Sequence, residues 1–431
     1  MAGQVSGARV RDVAAGLVKF GLVLFLLFEL GALIKNFIDT AQRFAGIDSR
    51  YFYDVATQIA NGQMPYRDFS FEYPPLAILP LLVPKLVLEV IGGQAVRYGW
   101  LLVAENVVLV GATAVCLVPL VRRGWSAASM GRTVAGYVLL VAATPVLFWR
   151  FDAFPTLLMM IGLVAFAYGS RLPSGLALGA GVAAKIFPIV VVPVLAAADL
   201  LRRDWAKPLL LVVGTAIPVV VLGAITWIGA GTGELYFLEY HADRGVQLES
   251  LLASIAMLAP LFGAPGGRVF NDFGSFQIDS PLLASVPWLG GLIAVLMIGA
   301  LAVSTLVRFR ADIAAHGVVQ PQTLVTQVLA SLFLVLLAYR VLSPQFLVWI
   351  LPVAALRPRG EFWAIFVLCL LTFAVYPLAY NALVALDSRA MALLIVRNAL
   401  MLGIFIWLVG WSTTASSRTG DVEGVGALDP L

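Results

Sequence analysis

Long apolar runs alternate with short breaks that carry arginine, glycine or proline along almost the whole chain. Several runs approach or exceed the roughly 20 residues that a helix needs to cross the hydrocarbon core of a bilayer. The pattern therefore predicts an all-α polytopic membrane protein. The predicted spans, in chain order, are 19–38, 97–121, 133–149, 153–170, 208–228, 281–307, 322–339, 346–356, 361–380 and 390–411.

The stretch from 173 to 201 interrupts this regular alternation. Its two apolar halves, 173–184 and 187–201, are each too short to cross the bilayer as an ideal helix, and both outer flanks are basic. We therefore expect a broken hairpin whose tip, from Lys185 to Pro188, reaches up from the cytoplasmic side.

Basic residues concentrate in the breaks, and cytoplasmic loops are enriched in Lys and Arg. If these basic breaks lie on the cytoplasmic side, both termini are cytoplasmic and two long segments, 39–96 and 229–280, lie on the outer side. Within the first segment, residues 76–91 are predicted to form a juxtamembrane helix on the outer face. Residues 1–411 are expected to form one membrane domain, and the polar tail 412–431 is expected to be disordered and cytoplasmic.

The composition excludes several classes of protein. Of the 431 residues, 61% are hydrophobic and only 12% are charged, whereas a soluble domain has about 25% charged residues. The net charge of +4 belongs to short basic loops between apolar runs, so a nucleic-acid partner is not expected. The two cysteines, Cys116 and Cys369, lie far apart in apolar runs, and there are only two histidines. Neither a disulfide framework nor a metal site is therefore indicated.

The first outer segment combines acidic residues with tyrosines. A solvated loop with aromatic anchors would explain that composition. However, the segment ends at Pro74 and Pro75, directly before the juxtamembrane helix, which would hold the loop as a roof over a cavity. Its candidate site residues are Asp48, Tyr51, Tyr66, Asp68, Glu72 and Tyr73.

A second polar cluster runs from Tyr240 to Ser250 in the other outer segment. Its Arg244 is flanked by Asp243 and Glu249, which could hold the arginine in position to bind an anion. An ordinary solvated loop is the alternative. His241 and Gln247 belong to the same cluster.

Two further cations, Lys185 and Arg340, are predicted to face the same side. A charge at the depth of Lys185 is costly unless it has a partner, and snorkelling of the side chain to the surface is the alternative. Arg340 precedes Ser343 and Gln345 at a span boundary, where a helix cap is the alternative role.

A carboxylate base and several cations on one outer face suit transfer of a sugar from a lipid phosphate. Nucleotide sugars are absent outside the cytoplasmic membrane, so a transferase there needs a lipid-linked donor. Phosphate is a competent leaving group because its second pKa is near ~6. Cations would stabilise the departing charge, and one carboxylate would take the proton of the acceptor hydroxyl, whereas a glycosidase would need two carboxylates.

A transporter or lipid flippase is the rival interpretation, because it would also have many spans and buried charges. Such proteins usually contain inverted repeats and charges near the membrane midplane. Here no repeat of usable length is found, and the polar motifs gather on one face.

The motifs resemble those of glycosyltransferase family 87, within the GT-C superfamily of polyprenyl-phosphate-sugar-dependent transferases. The matching stretches are Asp48–Tyr51, Gly62–Pro75, Arg150–Asp152, Ala184–Pro188, Tyr240–Ser250 and Arg340–Gln345. The resemblance implies a GT-C bundle of about 11–13 transmembrane helices with a large first extracytoplasmic loop. It also implies inverting transfer of a hexose, with mannose as the first candidate, to a lipid or glycan acceptor.

The resemblance also implies residue roles. The catalytic aspartate of the family lies in the first outer loop, so the general base would be Asp48. The donor phosphate is expected to contact Arg244, Lys185 and Arg340. Sugar or acceptor contacts are expected from Tyr51, Tyr66, Asp68, Glu72, Tyr73, Asp152, His241, Gln247, Glu249, Ser343 and Gln345.

The expected partners are the polyprenyl-phosphate sugar, the acceptor and membrane lipids. The protein is expected in the plasma membrane with its active site on the extracytoplasmic side. No cofactor is expected, and the sequence leaves metal dependence, the sugar and the acceptor open.

Overall fold

The computed structural model describes residues 49–263 and 265–410, and nearly all regular structure in these ranges is helical. The predicted all-α polytopic membrane class is confirmed. The helices are α1 (49–60), α2 (Ile78–Ile91), α3 (Ala95–Arg122), α4 (Met130–Ala142), α5 (Ala153–Ala167), α6 (Arg171–Ala184), α7 (Val191–Leu200), α8 (Ala206–Ala230), α9 (Tyr236–Asp243), α10 (Leu251–Leu258), α11 (Pro281–Ser285), α12 (Leu289–His316), α13 (Pro321–Ala338), α14 (Leu351–Ala355), α15 (Arg359–Phe373), α16 (Tyr380–Val384) and α17 (Ser388–Gly410). The predicted first span, Asp48 and the polar tail lie outside the described residues.

Six helical stretches among the described residues are long and apolar enough to cross a membrane: α3, Ala206–Asp243, α12, α13, Arg359–Leu378 and α17. Shorter apolar helices cover Met130–Ala142, Ala153–Ala167, Phe187–Leu200 and Leu251–Leu261. Many of the side chains that the long helices expose are apolar, such as Val108 and Val115 of α3. An apolar outer surface is what contact with lipid requires.

Two predicted spans are shorter than expected because proline interrupts them. The predicted span 346–356 is a 3₁₀ turn, Pro344–Trp349, followed by the five-residue α14. The predicted span 133–149 ends as a helix at Ala142 and continues as the 3₁₀ turn Pro145–Trp149. Proline lacks the backbone N–H that would extend an α-helix.

The predicted break between 173 and 201 is confirmed. Helix α6 ends at Ala184, and Lys185 adopts an extended backbone with φ of −162° and ψ of 130°. The chain then re-enters helix through the 3₁₀ turn Phe187–Val190, which leads into α7. Pro188 cannot donate to the Ala184 carbonyl, so α6 does not continue.

The predicted helix at 76–91 is also present, as α2. Its 14 residues extend about 21 Å at ~1.5 Å per residue. This length is less than the roughly 30 Å of a hydrocarbon core, so α2 is too short for a perpendicular crossing.

A β-hairpin in the second outer segment was not predicted. Strands β1 (Arg268–Asp272) and β2 (Ser275–Asp279) pair in antiparallel register. Their turn places Phe273 and Gly274 at positive φ, as a two-residue hairpin turn of the primed type requires. The backbone of Val246 and Leu248 pairs with β2, so the hairpin holds the loop between α9 and α10.

Charged residues lie at two levels of the helical bundle. Asp152, which directly precedes α5, forms an ion pair with Lys185 at the N-terminal end of that helix. Arg171 and Asp199 pair beyond its other end, where Arg171 also donates to the carbonyl of Phe166. Helix α5 separates the two pairs by about 22 Å at ~1.5 Å per residue.

Candidate active site

A cavity of about 880 Å³ lies beside the Lys185 break. Its polar lining residues, here called the polar end, are Tyr73, Lys185, His241, Tyr339 and Arg340. Its apolar lining residues, here called the apolar limb, include Ile186, Ile189, Val190, Leu252, Leu283, Val286, Leu289, Ala294, Val335 and Ala338. The lining therefore combines cationic groups with a hydrocarbon-like surface.

An ion pair lies at the polar end. The Nζ atom of Lys185 donates to Oδ1 of Asp152 at 2.6 Å, and Nε1 of Trp349 donates to the same oxygen at 2.8 Å. The side chain of Asp152 is 1% exposed and that of Lys185 is 14% exposed. The ammonium thus has a counter-ion within the protein. The expectation that Lys185 would need a phosphate as its partner is therefore not met, although Lys185 does line the cavity.

Aromatic rings enclose the ammonium group. The ring of Trp349 stacks between Phe187 and Phe346, with centroid distances of 4.2 and 4.3 Å. The Nζ atom of Lys185 lies 4.9 Å from the centroid of Phe346 and 5.1 Å from that of Phe151. Cation–π attraction adds to the ion pair, so the ammonium is held in one place in poorly hydrated surroundings.

The end of the first outer loop reaches the cavity through Tyr73. Burial, together with the nearby charge of Glu72, raises the pKa of the Tyr73 phenol well above its ordinary value. This phenol therefore stays protonated and can donate a hydrogen bond. Tyr51 of α1 and His241 also interact with Glu72, so four of the predicted residues lie together.

Tyr66 and Asp68 shape the loop and are not among the residues that line the cavity. The buried Tyr66 has a positive φ of 67°, and its hydroxyl donates to the backbone carbonyl of Tyr73 at 2.5 Å. The carboxylate of Asp68 accepts from the Met64 backbone N–H and from Arg67. The hydrogen bond from Arg67 lowers the pKa of Asp68 to about 2, so this carboxylate stays ionised in its turn.

The second loop brings several predicted residues to the cavity mouth. The guanidinium group of Arg340 donates to the backbone carbonyl of Arg244 at 3.1 Å. The backbone carbonyl of Arg340 accepts from the backbone N–H of Gln247 at 3.0 Å. The Gln247 amide donates to Ser343 at 3.2 Å. Arg244 donates to Ser275 of β2 at 2.7 Å. Arg340 lines the cavity, whereas Arg244 is not among the lining residues. Gln345 is half-buried next to the lining residue Phe346.

Glu249 lies away from the cavity, against α17. Its backbone carbonyl accepts from Arg397 at 2.8 Å and from Asn398 at 3.2 Å, and its carboxylate is 3.8 Å from Arg397. Burial raises the pKa of the Glu249 carboxyl to about 7, against the opposing effect of Arg397. In this structure Glu249 therefore anchors the loop to α17.

Sequence reasoning missed Trp349 and Arg397. Nothing in the sequence around Trp349 indicates that it would donate to a residue almost two hundred positions away. Arg397 did carry a usable signal, because a charge within an apolar span usually has a specific partner.

Among residues 49–263 and 265–410, no group of three or more His, Cys, Asp or Glu side chains is arranged to hold a metal ion. This finding does not decide whether the reaction depends on a metal ion. Comparison of the chain with protein-family models, with curated proteins and with solved structures found no match. The residues and contacts of the site are therefore what indicates a function.

Proposed function

We propose that this protein is a membrane glycosyltransferase that moves a sugar from a polyprenyl-phosphate donor to a hydroxyl group of a lipid or glycan acceptor. The observation that carries the proposal is one cavity whose lining combines many apolar side chains with the cations Lys185 and Arg340. A polyprenyl-phosphate sugar has the matching parts: a hydrocarbon chain, an anionic phosphate and a polyhydroxylated sugar.

The charge around the polar end favours an anion. Lys185 and Arg340 line it, and Arg150 and Arg244 lie close by, whereas the nearby carboxylates are Asp152 and Glu72. Among the described residues around Lys185 and His241, cations therefore outnumber carboxylates. The side chain of Lys185 is only 14% exposed, and this low exposure strengthens its attraction for phosphate because water screens it less.

The apolar limb suits a hydrocarbon chain. The start of α12, the end of α13 and the turn before α7 supply its walls. Each of these elements also belongs to an apolar helix that could lie in a membrane. A prenyl chain could therefore occupy the limb while its phosphate stays at the polar end.

The proposed reaction is a single displacement at the anomeric carbon. The acceptor oxygen bonds to that carbon, the bond from the carbon to the phosphate oxygen breaks, and polyprenyl phosphate leaves with the electron pair. The acceptor proton passes to a carboxylate, for which Asp48 is proposed on the family resemblance. Helix α1, which follows Asp48 in the sequence, packs its Phe52 against Phe151 and Tyr73 at the polar end, and this arrangement supports the proposal.

The test uses the full-length protein in lipid nanodiscs. It is incubated with a panel of polyprenyl-phosphate mannose, glucose and pentose donors and a total lipid extract, and products are identified by mass spectrometry. We expect release of polyprenyl phosphate together with a glycosylated acceptor. Saturable donor binding without any consumption would instead favour a lipid carrier.

The proposed base is tested in the same assay with Asp48→Asn, which keeps the shape of the side chain and removes the proton acceptor. We expect turnover to fall ~10²-fold or more, with unchanged thermal stability. Glu89→Gln, on the exposed end of α2, is the matched control and should keep full activity. Normal turnover in Asp48→Asn would end the assignment and move it to Asp54 or Glu72.

A further inference from the structure

Two buried polar side chains of α17, Arg397 and Asn398, hold the chain where α10 begins. Arg397 is 0% exposed and Asn398 is 1% exposed. The Nη2 atom of Arg397 donates to the backbone carbonyl of Glu249 at 2.8 Å. The amide nitrogen of Asn398 donates to Oγ of Ser254 at 2.7 Å and to the carbonyl of Ser250 at 3.0 Å, and it lies 3.2 Å from the carbonyl of Glu249. Helix α17 therefore fixes the backbone at 249 and 250 directly.

The same loop continues to the cavity wall. The backbone N–H of Ser250 donates to the carbonyl of Gln247 at 3.0 Å, and the backbone N–H of Gln247 donates to the carbonyl of Arg340 at 3.0 Å. The Gln247 amide also donates to Oγ of Ser343 at 3.2 Å. Arg340 lines the cavity. A continuous series of contacts therefore links α17 to one of the cations of the cavity.

The guanidinium group of Arg340 depends on this loop for its position. Its side chain is exposed, so close packing does not fix it, and ordering a long side chain costs conformational entropy. Its Nη1 atom donates to the carbonyl of Arg244 at 3.1 Å, and Arg244 lies three residues before Gln247 in the same loop. A shift of the loop would therefore move both the backbone and the guanidinium group of Arg340.

Net stability is a poor explanation for the charged pair at this anchor. The carboxylate of Glu249 lies 3.8 Å from Nη2 of Arg397, and the two side chains are 2% and 0% exposed. A buried ion pair seldom stabilises a fold more than apolar side chains of the same volume would, because both ions lose their hydration. A defined geometry for the loop is the role that the contacts of Arg397 support instead.

We propose that Arg397 and Asn398 are positioning residues for the anion site of the cavity. They fix the loop at 249 and 250, and the loop places the Arg340 guanidinium group where it meets the phosphate of a polyprenyl phosphate. Neither side chain is among the residues that line the cavity, so both act through Arg340 and not by touching the lipid. The inference rests on the proposed function for the identity of the phosphate.

The experiment uses the full-length protein in lipid nanodiscs and measures Kd for polyprenyl phosphate and for the uncharged polyprenol. Four proteins are compared: the wild type, Asn398→Leu, Arg340→Gln and the double variant. Asn398→Leu removes the amide donors with little change in side-chain volume. We expect it to weaken binding of polyprenyl phosphate about three- to thirtyfold, as for coupled residues of one hydrogen-bond network, and to leave binding of polyprenol unchanged. In the Arg340→Gln background it should have almost no further effect.

Thr372→Val in α15 is the matched control. Thr372 is also buried, at 2% exposed, but its hydroxyl donates to the carbonyl of Leu368 within its own helix at 2.8 Å. This variant should bind both lipids as the wild type does. If Asn398→Leu does not fold, Arg397→Lys takes its place in the same four-protein comparison with the same expected results, because it keeps the charge and loses the planar guanidinium group.

An equal loss of affinity for both lipids would mean that α17 only stabilises the fold, and it would overturn the inference. Wild-type affinity in Asn398→Leu, or the same loss with and without Arg340, would overturn it as well. In each of these cases a wild-type preference for polyprenyl phosphate over polyprenol leaves the proposed function standing. A wild-type protein that binds both lipids equally would overturn the proposed function and, with it, the inference.

Discussion

At the scale of single residues, burial decides what a charge does in this protein. The ion pairs Lys185–Asp152 and Lys207–Asp204 have the same separation of 2.6 Å. The side chains of the second pair are 43% and 35% exposed, whereas the first pair is largely buried. Solvent weakens an exposed pair, but removing one partner of a buried pair leaves a charge without water or counter-ion.

We expect Asp152→Asn to lower the free energy of unfolding by about 3–5 kcal/mol, because it leaves the Lys185 ammonium buried and unpaired. The double variant Asp152→Asn/Lys185→Met should recover much of this loss, since neither charge remains. Chemical denaturation of the purified protein in detergent micelles measures both changes.

Asp204→Asn is the control for this comparison and should have little measurable effect on unfolding. A similar loss in Asp152→Asn and Asp204→Asn would contradict our description, since it would mean that the Lys185 pair is solvated.

At the scale of elements, close packing of α6 against α8 positions the Lys185 break. A Cβ atom on Gly175 would lie 2.2 Å from the carbonyl oxygen of Leu211, and one on Gly179 would lie 2.2 Å from that of Thr215. Glycines four residues apart allow two membrane helices to approach this closely. Because α6 ends directly before Lys185, this contact also sets where the ammonium group lies.

Gly179→Ala should therefore push α6 away from α8. We expect a loss of about 1–3 kcal/mol in stability from this overpacking, together with weaker binding of polyprenyl phosphate in nanodiscs. Gly111→Ala in α3 is the matched control, because its added Cβ meets no atom within 4 Å, and it should leave both quantities unchanged. Wild-type binding in Gly179→Ala would show that the position of Lys185 does not depend on this helix contact.

At the scale of the whole molecule, the charges lie at two levels. The candidate site and the first loop are at one level; the backbone of Tyr66 in that loop lies against Gly233, just beyond α8. At the other level, Arg123 lies over the ring of Tyr168, near the Arg171–Asp199 pair. From the positive-inside rule we predict that the level of Arg123 and Arg171 faces the cytoplasm.

Reporter fusions test this orientation. A reporter after Arg123, Arg203 or Arg310 should give a cytoplasmic signal, and one inserted near Gly231 should give an external signal. A combined alkaline phosphatase and fluorescent-protein assay in cells reads both sides. An external signal at Arg123 would mean that α2 crosses the membrane and that the predicted orientation is wrong from α3 onward.

Much of the fold could be predicted because a bilayer imposes strong local rules. A helix satisfies its own backbone hydrogen bonds, so apolar runs and their breaks predicted the long helices, α2 and the interruption at Lys185. Prolines explain where hydropathy overestimated helix length, as at Pro145 and Pro352. The β-hairpin was missed, although alternation on either side of Phe273 and Gly274 is a recognisable hairpin signal.

The sequence by itself determined the class of protein, the approximate helix positions and the groups of polar residues that belong near one another, because hydropathy and charge act locally along the chain. Only the tertiary structure decided which side chains meet. It joined Asp152 to both Lys185 and Trp349, and it tied Glu249 to Arg397 of α17. These contacts join residues far apart in the chain, and their energies depend on burial and on distances of a few ångströms, which no pattern along the sequence contains.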